Sequence, residues 1–137
     1  MKKKFFLTLV ASVITCLWLS QEIMAAKGIY IPLFTYRTGP FAGSGIPNAN
    51  GMTDYLNMLN ERDGGIGGVP LIVEECETGY NTKKGVECYE KVKAKNPVVI
   101  NPYSTGITLQ LIPKSRVDKI PVHSMGYGLS AAADGSV

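Results

Sequence analysis

The sequence predicts an α/β fold: an open parallel sheet in strand order 2-1-3-4 with helices on both faces. Three observations carry this expectation. Short apolar runs at residues 29–33, 69–73, 98–100 and 120–122 alternate with stretches of helical periodicity. Each connection is long enough to carry a helix, and such alternation means parallel strands joined by right-handed crossovers. The third run, Val98-Val99-Ile100, is apolar throughout, as suits a strand covered on both faces.

The chain opens on a segment outside that pattern. Lys2, Lys3 and Lys4 precede an almost uncharged apolar run from residue 5 to 19, followed by small residues at Ala25 and Ala26. This is the layout of a secretory signal peptide over residues 1–25, cleaved after Ala25 or Ala26. The run is about 15 residues, short of the ~20 that span a bilayer. The formal charge of +3 falls to about +1 without this segment, so the basic balance belongs to the leader. No basic stripe interleaved with aromatics remains, which sets nucleic acid aside as a partner. Residues 26–137 suffice for one α/β domain.

The first strand, with Ile29, Ile31 and Leu33 alternating, runs into a glycine-rich loop at residues 38–45. A helix is expected to open with Pro47 in its first turn, where the missing N–H costs nothing. Met52, Tyr55, Leu56 and Leu59 share one stripe, and Asp63-Gly64-Gly65 ends it. A glycine loop between a strand and a helix N-terminus suits an anion or polar ligand. The second strand follows at 69–73, with Glu74, Glu75 and Glu77 as a solvated acidic end. Asn81 or Thr82 then caps a helix carrying Val86, Tyr89 and Val92, with lysines near its carboxyl end.

Cys76 and Cys88 remain after the leader, in an exported chain and hence an oxidising compartment. A bridge would close a loop of about a dozen residues and contribute roughly 3 kcal/mol on the chain-entropy model. A metal pair is the alternative, but it lacks further ligands: His123 is the only histidine, and no zinc spacing is present. After the third strand comes a polar loop at 101–106. A third helix from Thr105 to Val117 follows, which Pro113 is expected to kink or shorten. The fourth strand leads to another loop at 124–128.

In order 2-1-3-4 the direction of winding reverses between strands 1 and 3, and ligands of open α/β sheets sit at that point. The loops at 38–45 and 101–106 flank it, and the loop at 124–128 opens on the same edge. The glycine loop matches neither G-x-G-x-x-G nor a P-loop, so no nucleotide cofactor is expected. Catalysis would need a base for Ser44, Ser104 or Thr105, and His123 is the only imidazole. Small-molecule binding without catalysis, cofactor or metal is the reading the three loops favour. An exported hydrolase using Ser104 and His123 is the competing one.

The leader, the segment T-G-P-F-A-G-S-G before a helix, and Leu59-Asn60-Glu61-Arg62-Asp63-Gly64-Gly65 together resemble the start of a type I periplasmic binding protein. They are most similar to substrate-binding proteins of branched-chain amino acid (Liv-type) ABC transporters, with their urea-, amide- and aromatic-compound-binding relatives. Residues 75–90, from Glu75-Cys76-Glu77 to Cys88-Tyr89-Glu90, resemble one subgroup of these. The resemblance implies that residues 26–137 form the N-terminal lobe of a two-lobed periplasmic protein, here without its second lobe. It implies a solute-binding component of an ABC importer, not an enzyme, with an ABC permease as partner of the full-length form. The ligand would be a small amino-acid-like or amide-like compound. Carried onto this chain, its binding residues are Ser44, Tyr103, Ser104, Thr105, Gly126 and Tyr127. Asn101-Pro102 and Tyr127 differ from the commonest amino-acid-binding pattern, which leaves the ligand's identity open. A ligand-sensing ectodomain of the same fold is the alternative role.

Overall fold

A computed structural model describes residues 28–125. The leader at 1–25, its two cleavage positions, and Gly126 and Tyr127 lie outside the described residues. The elements run β1 (Ile29–Thr35), α1 (Ala42–Asp63), β2 (Leu71–Glu77), α2 (Thr82–Lys93) and α3 (Thr105–Asp118). β1 and β2 pair in parallel from Ile29 opposite Leu71 to Thr35 opposite Glu77. The predicted α/β class and parallel sheet stand.

Two predicted strands do not form ladders. Leu33 makes a single parallel bridge to Asn101, and Ile100 a single parallel bridge to Val122. The regular sheet among the described residues is therefore β1-β2, and an order of four strands is not defined. Prolines supply the reason, because each removes a ladder donor. The backbone of Tyr30 faces the 98–101 segment, its carbonyl accepting from Val98 N–H at 3.5 Å. Pro32 turns the same way, two residues on, and has no N–H to give. Pro97 and Pro102 bound that segment, and Pro121 does the same to the next one. Ile100 still donates to the Pro121 carbonyl at 2.9 Å, and His123 N–H to the Ile100 carbonyl at 2.8 Å.

The alternation of β1 also differs from expectation. The side chains most deeply set in the main core are Tyr30 and Phe34, not Ile29 and Ile31. They pack with Tyr89 and Val92 of α2, Ile107 and Leu111 of α3, and Ile100. Leu33 and Leu71 are buried on the opposite face, where α1 lies. There Asn60 clamps β2, its amide donating to the Leu71 carbonyl at 2.9 Å and its oxygen accepting from Leu71 N–H at 2.7 Å.

Three helix boundaries carry information. α1 starts at Ala42, so Pro47 is an interior residue and Gly43, Ser44 and Gly45 are helical. The start is early because Phe41 already serves as the N-terminal acceptor: its carbonyl takes Ser44 and Gly45 N–H, each at 3.0 Å. α1 does end at Asp63, with Gly64 in the left-handed conformation. α2 is capped by the Asn81 side chain, which accepts from Lys84 N–H at 3.0 Å. α3 passes through Pro113 to Asp118 without being shortened. Pro113 and Leu109 both lie on its exposed side, where water can serve the carbonyl that the proline leaves unbonded.

Strand β2 is displaced relative to expectation, covering Leu71–Glu77. Glu74, Glu75 and Glu77 are thus ladder residues, not a solvated strand end. They remain in the sheet because β1 and its loop supply donors: Tyr30 hydroxyl to Glu74 at 2.8 Å, and the single Thr35 hydroxyl proton shared between Glu75 and Glu77. Cys76 and Cys88 form a disulfide with Cα atoms 5.9 Å apart, tying β2 to α2.

Candidate functional site

The carboxyl ends of β1 and β2 and the turn after residue 101 meet at one edge. Gly39, at φ 82°, lies so close to the Gly79 carbonyl that a side chain there would stand 2.8 Å from it. The loops after β1 and β2 therefore touch. Gly106, at the start of α3, faces Thr82 at the start of α2 just as closely, with 3.1 Å to its hydroxyl. Two helix N-termini thus lie side by side.

Glu77 organises this edge. One carboxylate oxygen accepts from Thr38 N–H at 3.1 Å, Thr38 hydroxyl at 2.9 Å and Gly79 N–H at 2.9 Å. The other accepts from Thr35 hydroxyl at 2.9 Å and Arg37 N–H at 2.8 Å. Burial works against the charged form, but the Arg37, Thr35 and Thr38 donors outweigh it and hold its pKa down to about 2. Arg37 forks onto Glu75 and reaches Asn50 on α1. Thr78, wholly buried, donates its hydroxyl to the Thr35 carbonyl at 2.7 Å and accepts from Tyr80 N–H at 3.2 Å.

The residues expected to bind ligand are distributed over this frame. Tyr103, Ser104 and Thr105 lie together at the entry to α3. Ser104 is buried and is the helix N-cap, its hydroxyl oxygen accepting from Ile107 N–H at 3.4 Å and its carbonyl from Thr108 N–H at 2.9 Å. That leaves the hydroxyl proton of Ser104 for another acceptor. Thr105 is exposed at the first helical position. Tyr103 sits at φ 51°, half-buried, and its phenol is pushed up first by burial and then by the nearby Tyr36. Ser44 belongs to another element, the exposed first turn of α1. The glycine loop is not the open anion cradle its composition suggested, because its amides at 42, 44 and 45 already bond within the turn.

His123 is turned to Asn101, whose side-chain amide lies 3.0 Å from Nδ1. Ser104 is engaged with α3 instead. Among the described residues no cluster of three or more His, Cys, Asp or Glu could hold a metal.

Sequence reasoning missed three residues at this edge: Tyr36, Glu77 and Tyr80. Tyr80 meets Tyr36 edge-on at 5.1 Å and Phe41 at 4.6 Å. The signal present was an aromatic just past the end of each strand, Tyr36 after β1 and Tyr80 after β2. Reading the glycine loops alone passed over it.

Comparison with known proteins agrees with this architecture. A crystal structure titled as an ABC transporter permease from the Pseudomonas fluorescens group is 42% identical, with a TM-score of 0.65 over 69% of this chain and 24% of that one. A substrate-binding protein of an ABC transporter from Aeropyrum pernix aligns with a TM-score of 0.67 at 22% identity, over 77% of this chain and 29% of that one. An extracellular ligand-binding receptor from Verminephrobacter eiseniae gives 0.60 at 23% identity, over 72% of this chain and 28% of that one. The chain thus spans about a quarter of the length of these structures. No curated protein matches it. The family model described as periplasmic binding protein matches residues 28–136. With that match over most of its length, and a parallel α/β lobe to fit it, the chain belongs to the periplasmic binding protein family.

Proposed function

We propose that this chain provides one wall of the ligand cleft in the solute-binding component of an ABC importer. The observation that carries the reading is the meeting of three loops at the carboxyl edge, with Leu33 bridged to Asn101 and Gly39 against Gly79. Ligands of open α/β sheets bind at such edges. Family membership supports the same role, and the chain is exported by its leader at residues 1–25. The ligand is a small amino-acid-like or amide-like compound of the Liv or urea-amide range. Its carboxylate or carbonyl oxygen takes the Ser104 hydroxyl proton and the free amides at the start of α3, where a helix N-terminus favours negative charge. Thr105 and Tyr103 flank it and Ser44 covers it from α1, and Gly126 and Tyr127 complete the set of binding residues in this reading. No group in this arrangement has to exchange a proton, so the site binds without turnover, and an ABC permease receives the ligand.

The test is an amide NMR titration of the chain with leucine, phenylalanine, urea and short amides at millimolar concentration. Saturable movement of the Tyr103, Ser104, Thr105 and Gly106 amides is expected for at least one compound. If every compound leaves those signals in place, the site is wrong.

A further inference from the structure

Charge is divided unevenly along the described chain. Residues 28–77 hold two basic side chains, Arg37 and Arg62, against six acidic ones, whereas residues 91–125 hold six basic side chains and a single acid, Asp118. Topology gathers those six cations at one place. α2 and α3 run antiparallel to the strands, so their N-termini meet at the ligand edge and their carboxyl ends meet at the opposite, amino-terminal edge of the sheet. There Lys93 reaches Asp118 at 3.4 Å, and Lys114 reaches Glu90 at 2.6 Å, from one helix to the other. Lys91, at 3.4 Å, and Lys95 both turn to Glu74, and Lys95 also lies over the ring of Tyr30 at the start of β1.

Cations at helix carboxyl ends are ordinary, because the helix dipole favours them. Three features exceed that explanation. Four lysines share the carboxylates of Glu74, Glu90 and Asp118, and Lys119, just past α3, has no ion-pair partner among the described residues. Even with exposed Glu87 one turn before Lys91 included, six cations face four carboxylates. Two valines stand out among them, Val117 at 81% exposure between Arg116 and Lys119, and Val98 at 52%. The parallel Ile100–Val122 bridge, counted back two residues, sets Val98 level with Ile120, so both valines belong to this edge. β1 also begins here, so residues 1–27, with Lys2, Lys3, Lys4, the apolar run at 5–19 and Lys27, join the fold at the same edge.

We propose that this amino-terminal edge is a docking surface for an anionic lipid bilayer. Lys91, Lys95 and Lys119 meet the lipid phosphates while Val98 and Val117 enter the headgroup layer, the combination of cation and apolar contact that interfacial binding uses. A leader in the bilayer delivers this edge to the headgroups first. Docked in this way, the chain turns its ligand edge, at the far ends of the strands, towards the compartment, and it is held beside the membrane that carries a permease. An acidic protein could attract the same lysines, but the junction with the leader favours the bilayer. The inference rests on export by the leader and not on the ligand, so it and the cleft reading fail separately.

The experiment is co-sedimentation of the exported chain, after removal of its leader, with phosphatidylcholine vesicles and with vesicles in which one-third of the lipid is phosphatidylglycerol. Binding is expected to the anionic vesicles only, and to be lost at about 0.5 M salt. A lysine near such a surface is worth about fivefold in partitioning, so Lys91→Gln with Lys119→Gln should weaken binding about 25-fold. Val117→Ser, at an exposed position, should weaken it severalfold with the thermal midpoint unchanged. Lys83→Gln with Lys84→Gln removes the same charge at the start of α2, the other end of that helix, and should leave binding in place. Equal losses from the two lysine pairs would mean attraction by net charge alone and overturn the docking edge. So would equal binding to both kinds of vesicle, or binding to neither. Retention on polyglutamate without binding to vesicles overturns the lipid proposal too, and assigns the edge to an acidic protein.

Discussion

The two faces of the sheet are built differently. On one, Phe34, Tyr89, Val92, Ile100, Ile107 and Leu111 are wholly buried and interlock around α2 and α3. Tyr89 reinforces this side by donating its hydroxyl to Asp118 at 2.9 Å, which joins the two helices. On the other face α1 is more than half again as long as either partner, yet only Gly45 and Ala49 of its 22 residues are buried. Tyr55, Ile46 and Met58 stand exposed along it. The difference teaches that length and apolar content do not make a helix part of the core. α1 is held by polar clamps, Asn60 to Leu71 and Arg37 to Asn50, more than by apolar contact.

The largest test of this contrast is a pair of truncations. Leu111→Ala should cost about 2–5 kcal/mol, the range for an emptied core site, whereas Tyr55→Ala should stay within about 0.5 kcal/mol. Urea unfolding of both variants measures the gap, and equal losses would mean that α1 carries core weight after all. Next comes the tie between the packed face and the site edge. Replacing Cys76 and Cys88 by alanine opens a loop with a separation of 12 residues, and should lower stability by about 3 kcal/mol. The same unfolding experiment under oxidising conditions reads it, and an unchanged midpoint would refute the role given to the bridge.

Glycines sharpen the comparison within α1 itself. A side chain at Gly45 would stand 1.9 Å from the Tyr36 carbonyl, while one at Gly43 meets nothing within 4 Å. Gly45→Ala should therefore destabilise by about 1–3 kcal/mol through overpacking. Gly43→Ala should stabilise by about 0.5–1 kcal/mol through helix propensity. Thermal melts of the two variants check that they move in opposite directions.

A smaller effect is expected from pH. Glu77 has a pKa of about 2 in the folded chain against 4.5 as its ordinary value. A depressed carboxylate contributes stability that is complete above the unfolded value and is lost as pH falls through the folded one. Stability should thus decline between about pH 4.5 and 2, and Glu77→Gln should flatten that slope. Glu74, held near 2 chiefly by Lys95 and then Tyr30, titrates in the same window, so part of the slope remains. A variant whose acid limb matches the parent chain would show that Glu77 does not latch the loops.

Much of this architecture was legible in the sequence. Periodicity gave α3 nearly to the residue and, with the Asn81 cap, the start of α2, because the buried positions repeat at helical spacing; that Ser104 caps α3 emerged only in the structure. It misplaced the start of α1, since Pro47 is commonest in a first turn and nothing local reports that Phe41 caps the helix. The site was legible only in part. Tyr103, Ser104 and Thr105 share one turn and could be read together. Tyr80 reaches Phe41 across 39 positions of sequence, and no local pattern records that approach.

What the sequence determined by itself is therefore local: the alternation of strand and helix, the caps, and the αL glycine that ends α1. Those follow from backbone sterics and nearest-neighbour hydrogen bonding, which act within a few residues. Tertiary structure alone decided which face of β1 is the main core, that Glu74, Glu75 and Glu77 belong inside β2, and that one carboxylate draws two loops together. These depend on donors contributed by residues some 40 positions away, as in the Thr35–Glu75 and Thr38–Glu77 bonds. Only a folded chain brings such donors within 3 Å.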